Sequence, residues 1–101
     1  MYKDMLPLGS VVLLKGGNKR VMICGRVLTR AGEDKIYDYC ACYFPEGIIG
    51  SKNMVFFDNE AIERIFFMGF TDIEEQNFSE RVLAQLGELE VKNGKIVKKE
   101  S

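Results

Sequence analysis

The 101-residue sequence has no histidine, no tryptophan and two prolines, and none of its apolar stretches reaches the roughly 18 residues of a membrane helix. Without histidine it lacks the commonest general base near neutral pH, so a serine or cysteine nucleophile would have no usual activator. The opening residues Met1 to Pro7 do not form the apolar core and small-residue cleavage site of a secretory signal. A cytoplasmic location is therefore expected. Excess charge of one sign is missing as well: 14 basic residues stand against 15 acidic ones, a net of −1. No positive field exists to collect phosphates by counterion release, which disfavours nucleic acid as a partner.

Cysteine is sparse and odd in number, with Cys24, Cys40 and Cys42. In a reducing compartment all three remain thiols. Structural zinc takes four ligands, so three thiols without a histidine fall short, and the expected reading is three small buried hydrophobic residues with no bound metal or cofactor. The balance of 47% hydrophobic and 29% charged residues belongs to folded globular chains. At this length the chain fits a single domain over 1–101, with a core at 6–89 and residues 90–101 forming a marginal charged hairpin or flexible tail.

The strands follow from short β-branched and aromatic runs bounded by turn residues. Ser10 to Lys15 is the first, and Gly16-Gly17-Asn18-Lys19 supplies a turn into a second from Arg20 to Thr29. Gly25 within that run predicts a bulge or a close approach of two backbones. Lys35 to Phe44 alternates, with Tyr37, Tyr39, Ala41 and Tyr43 on one face and Ile36, Cys40, Cys42 and Phe44 on the other. Pro45 ends this strand. Met54 to Phe57 is a short apolar strand, and Asp58 can cap one helical turn after it. Arg64 to Phe70 is apolar on both faces, a pattern that predicts the most buried strand.

Thr71-Asp72-Ile73-Glu74 has capping-box spacing, so a helix is expected from Asp72. Ile73, Phe78, Val82, Leu86 and Leu89, with Leu83 beside them, form its docking stripe, and Gly87 is its stop. Asn93-Gly94 predicts a hairpin on a type I′ turn. The fold class is then α+β: a small bent antiparallel sheet of about five strands, partly barrel-like, packed by one C-terminal helix over 72–86.

Several groups resemble sites, and each has a plain structural explanation. The acid clusters Asp58, Glu60, Glu63 and Asp72, Glu74, Glu75 lie at helix starts, where the macrodipole favours them. Gly16-Gly17-Asn18-Lys19-Arg20 lacks the spacing of a phosphate loop and leads into no helix. Tyr37, Tyr39 and Tyr43 with Arg26 and Arg30 could form a stacking platform for single strands, but tyrosine is also an ordinary strand residue. Phe56, Phe57, Phe66, Phe67 and Phe70 place five of the seven phenylalanines, with Met68, inside fifteen residues. That is more aromatic surface than one helix can cover, so a partner-binding patch is expected at Phe57, Phe66, Met68 and Phe70, extended by Leu83 and Leu86. No catalytic residue, small-molecule substrate or membrane contact is indicated, and the expectation is a non-enzymatic binding protein.

Leu6-Pro7-Leu8-Gly9-Ser10-Val11-Val12-Leu13-Leu14-Lys15-Gly16, Met22-Ile23-Cys24-Gly25-Arg26, Tyr43-Phe44-Pro45-Glu46-Gly47 and Phe66-Phe67-Met68-Gly69-Phe70-Thr71-Asp72 carry a family resemblance. The chain resembles, from Leu6 to about Val82, a small domain-of-unknown-function family of Gram-positive bacteria encoded beside LXG toxins of the type VII secretion system. The resemblance implies a chaperone-like accessory that binds a cognate LXG toxin, through its toxin region, and assists its export. A general small-barrel binding module and an immunity protein to the neighbouring toxin are the alternatives. Gly9, Gly25, Gly47 and Gly69 match the family's motif positions and read as fold determinants.

Overall fold

All five strands of the main sheet lie within the first 67 positions. The computed structural model describes residues 2–100. In it β1 spans Val11–Leu14, β2 Val21–Thr29, β3 Ile36–Tyr43, β4 Val55–Phe57 and β5 Ile62–Phe67. They pair antiparallel in the order β4-β3-β2-β1-β5. The sheet bends but does not close into a barrel: β4 and β5 are its two edges.

Register explains the core. Val12 lies opposite Val21, Ile23 opposite Ala41, and Tyr39 opposite Phe57. These six residues form the buried cluster, with Met5, Leu6, Leu14 and Ile62 packed against it. The Tyr39 hydroxyl accepts from the Leu6 amide at 2.9 Å and donates to Asn59 Oδ1 at 3.1 Å. A buried phenol thus satisfies its polar end while its ring fills the core. The expected bulge is present between Ile23 and Gly25, opposite Ala41 and Cys40, and it leaves Cys24 as the extra residue. That overturns one expectation, because Cys24 is exposed while Cys40 and Cys42 are buried.

The largest correction concerns β5. Its apolar character on both faces predicted the most buried strand, yet Glu63 to Phe67 are all exposed. Apolar content states that water is unfavourable; it does not state that the chain supplies a cover. β5 pairs on one side with β1 through two register shifts, and its other side faces no strand.

Helix α1 spans Ile73–Arg81 and continues as a 3-10 turn at Leu83–Gln85. Its N-cap is Asp72, not Thr71: the Asp72 carboxylate accepts the Glu75 amide at 3.0 Å, while Thr71 Oγ1 donates back to the Gly69 carbonyl. The predicted docking stripe also needs correcting. Leu83 is buried, but Ile73 is 71% exposed and Phe78 and Val82 are 43% exposed. The helix is instead held by Arg26 of β2, whose guanidinium pairs with both Glu75 oxygens at 2.8 and 2.9 Å. Beyond Gly87, β6 (Leu89–Lys92) and β7 (Lys95–Lys98) form a second small sheet. Asn93 and Gly94 take φ of 52° and 76° at its turn, the type I′ geometry that an Asn-Gly pair favours.

Candidate functional site

The site is built on a backbone junction between the start of β1 and the end of β5. Gly9 has φ of +88°, a left-handed conformation that glycine adopts without a Cβ penalty. Its amide donates to the Ile23 carbonyl at 2.8 Å, and the Ile23 amide returns to Ser10 O at 2.8 Å. Ser10 is fully buried. Its hydroxyl donates to the Pro7 carbonyl at 2.7 Å and accepts from the Gly69 amide at 2.9 Å. A Cβ on Gly69 would collide with the Leu8 carbonyl and come within 2.9 Å of the Ser10 nitrogen. The chain at Gly69 is therefore pressed backbone-first against residues 8–10, and its neighbours Met68 and Phe70 turn outward.

The outcome is an apolar surface on a fixed support. Ile65, Phe66, Phe67, Met68 and Phe70 are all exposed, Phe70 to 76%. Two open clefts flank the junction. One of about 410 Å³ is lined by Leu8, Arg26, Phe70, Asp72, Glu74, Glu75 and Phe78. The other, also about 410 Å³, is lined by Gly9, Val11, Arg20, Met22, Phe44, Phe66 and Phe67. Contiguous patches of exposed apolar and aromatic side chains commonly mark contact sites for other molecules.

Charge is placed within this surface. The Arg20 guanidinium lies 5.3 Å from the Phe44 ring centre and 5.4 Å from that of Phe66, and Arg64 lies 4.9 Å from Phe66. Two guanidinium groups thus share one aromatic ring. Among the described residues neither takes part in an ion pair. Arg26, by contrast, is spent on Glu75 and packs 5.5 Å from Phe78.

Three of the six residues expected at the patch lie on it: Phe66, Met68 and Phe70. Phe57 does not. It is 5% exposed and belongs to the core, packed 5.5 Å from the Tyr39 ring, because β4 pairs beside β3 with Phe57 opposite core Tyr39 on the same face of the sheet. Leu83 is buried and Leu86 half-buried, and both line a separate cleft against Ile96 and Val97 of β7. Sequence reasoning missed Leu8, Phe44 and the two arginines, Arg20 and Arg64. Arg64 carried a usable signal, since residues two apart on a strand share a face and Arg64 is two before Phe66.

The remaining candidates are placed as follows. Tyr39 is in the core, Tyr43 packs against it, and Tyr37 donates to Glu33 at 2.7 Å, so the tyrosines do not make an open stacking platform. Burial, and to a smaller degree the adjoining thiols, push Cys40 up to about 11, and burial also raises Cys24. Thiols held protonated are poor nucleophiles and poor metal ligands, and the described residues contain no His, Cys, Asp or Glu group arranged to hold a metal. Asp58 Oδ1 accepts the Asp38 amide at 3.1 Å and Asp38 Oδ2 accepts the Asn59 amide at 2.9 Å, a reciprocal bracing of β3 against the turn after β4. Among the described residues no helix is long and apolar enough to cross a membrane.

No curated protein and no solved structure matches the chain. One family does match, over residues 5–78, a span that takes in the five-stranded sheet, the Gly9–Gly69 junction and the first part of α1 and leaves out the terminal hairpin. The chain belongs to the family described as domain of unknown function DUF4176.

Proposed function

We propose that this protein is a non-catalytic binding accessory that engages another protein through the surface around Phe66, Phe67, Met68 and Phe70. The observation that supports the reading is the exposure of these side chains on a backbone fixed by Ser10 and Gly69. A large apolar area left in water is unfavourable, and a partner that covers it gains the burial. Its rigidity matters too, because a preorganised surface loses little entropy on binding. The likeness of its sequence motifs to the export-accessory family favours one partner in this reading: a cognate LXG toxin, bound before delivery to the type VII secretion machinery.

Co-expression with the LXG toxin of the same locus tests this. The reading expects a stable complex, loss of toxin export when this protein is deleted, and no protection from the toxin by this protein alone. Protection without any effect on export would make it an immunity protein instead.

A further inference from the structure

We infer that the free edge of β5 at Ile65–Phe67 accepts an added β-strand from a partner polypeptide whose side chains alternate acidic and apolar. This rests on the protein-binding reading above and specifies how the binding is done.

A strand at a sheet edge carries a row of backbone donors and acceptors that another chain can pair. The two edges of this sheet differ. β4 has three residues and runs directly into the Asp58–Asn59 bracing with β3. β5 has six, and among the described residues no other segment bonds to its outer side. Edge strands in stable monomers are blunted by charge, proline or bulges. Glu63 and Arg64 supply charge at the start of β5, and register shifts against β1 fall between Ile62 and Arg64 and between Ile65 and Phe67, but Ile65, Phe66 and Phe67 carry no charge and include no proline, so the outer edge there is only partly blunted.

The side chains beside this edge state what the incoming strand should carry. Arg20 and Arg64 both lie against the Phe66 ring, without a carboxylate partner among the described residues. Residues directly opposite on paired strands stand about 5 Å apart, so an acidic side chain opposite Phe66 reaches both guanidinium groups. The next residue of that strand turns to the other face and covers Ile65, which pairs with core Val12. A second copy of β5 fits less well. Pairing about a twofold axis through Ile65 places Arg64 opposite Phe66 of the other copy, which doubles the guanidinium groups on one face and adds no carboxylate there.

The test uses the full chain and two synthetic peptides, each of about seven residues so as to span the strand. One alternates glutamate with valine and the other lysine with valine. The acidic peptide is expected to bind, to slow amide hydrogen exchange within Ile65–Phe67, and to lose roughly tenfold in affinity on the R20Q/R64Q variant, whose changes are at exposed positions. Equal binding of the two peptides, protection confined to other strands, or unchanged affinity for the variant would overturn the inference. So would a dimer of the free protein that the acidic peptide does not dissociate, since the edge would then belong to a second copy. The two readings fail separately. Toxin capture with unprotected β5 amides removes only the added strand, whereas peptide pairing at β5 without toxin capture removes only the toxin assignment.

Discussion

Ser10 Oγ accepts the Gly69 amide at 2.9 Å across 59 residues of chain, and this one buried bond fastens the end of β5 to the start of β1. It separates two roles that the sequence leaves merged. The backbone of 67–70 is structural, and the side chains it carries are free.

Gly69→Ala should therefore be among the most disruptive small changes in the protein. The new Cβ meets backbone at Leu8 and Ser10, which cannot move as a side-chain tip can. An overpacked methyl of this kind costs about 3 kcal/mol, which lowers Tm by about 12 °C or more in a domain of this size. Ser10→Ala leaves the Gly69 amide unpaired in the interior and should cost about 1 to 3 kcal/mol. Thermal melts of both variants check the pair.

Arg26→Ala should loosen α1. The Arg26 side chain is 6% exposed and that of Glu75 is 17% exposed, so removal strands a carboxylate with little water. The expected loss is about 2 to 3 kcal/mol, below that of a fully buried pair because Glu75 retains some solvent. Hydrogen exchange should rise over Ile73–Arg81 more than over β2 and β3.

Thiol labelling should proceed in two stages. Cys24 is exposed and should react first with an alkylating reagent, slowly at neutral pH because burial raises its pKa. Cys40, buried and pushed up to about 11, should react only on unfolding. One adduct under native conditions and three in denaturant, counted by mass spectrometry, is the expected result.

Asp38 should give a small pH dependence. Burial, then the neighbouring carboxylates of Asp58 and Glu60, raises its pKa, against the lowering effect of the Asn59 amide. A carboxyl raised in the folded state holds its proton longer than in the unfolded chain. Stability attributable to it is thus full below the unfolded value near 3.8 and declines as pH rises through the higher folded value. Asp38→Asn keeps an acceptor for the Asn59 amide and should flatten the part of the stability profile that lies above the unfolded carboxyl value.

The first three strands and the Asn93-Gly94 hairpin were legible in the sequence because each depends on local chemistry. Alternation at Tyr37, Tyr39 and Ala41 fixes a face, and a bulge at Gly25 or a turn at Asn93-Gly94 needs only its own residues. The position of β5 was not legible. Its partner β1 lies about 50 residues earlier, and nothing in Ile65-Phe66-Phe67 records which neighbour covers it. The site was read to the same extent: exposed Phe66, Met68 and Phe70 were identified by their crowding, whereas Phe57 belongs to the same crowd and is core. Arg20 joins the surface through tertiary packing against Phe44 and Phe66, which no local pattern encodes.

On the proposed function, the aromatic residues of 65–70 serve a partner and not the fold. Phe66→Ala and Phe70→Ala, measured for Tm and for co-purification of the LXG toxin, test it directly. The account predicts a stability change of at most about 0.5 to 1 kcal/mol for Phe70→Ala, since the ring is 76% exposed, with a loss of partner binding of about tenfold or more. Phe66→Ala, which also gives up its contacts with Arg20 and Arg64, should lose about 1 kcal/mol of stability and at least as much binding. If instead each variant loses about 3 to 5 kcal/mol of stability, as a core phenylalanine does, or if toxin binding survives both changes, the account is contradicted.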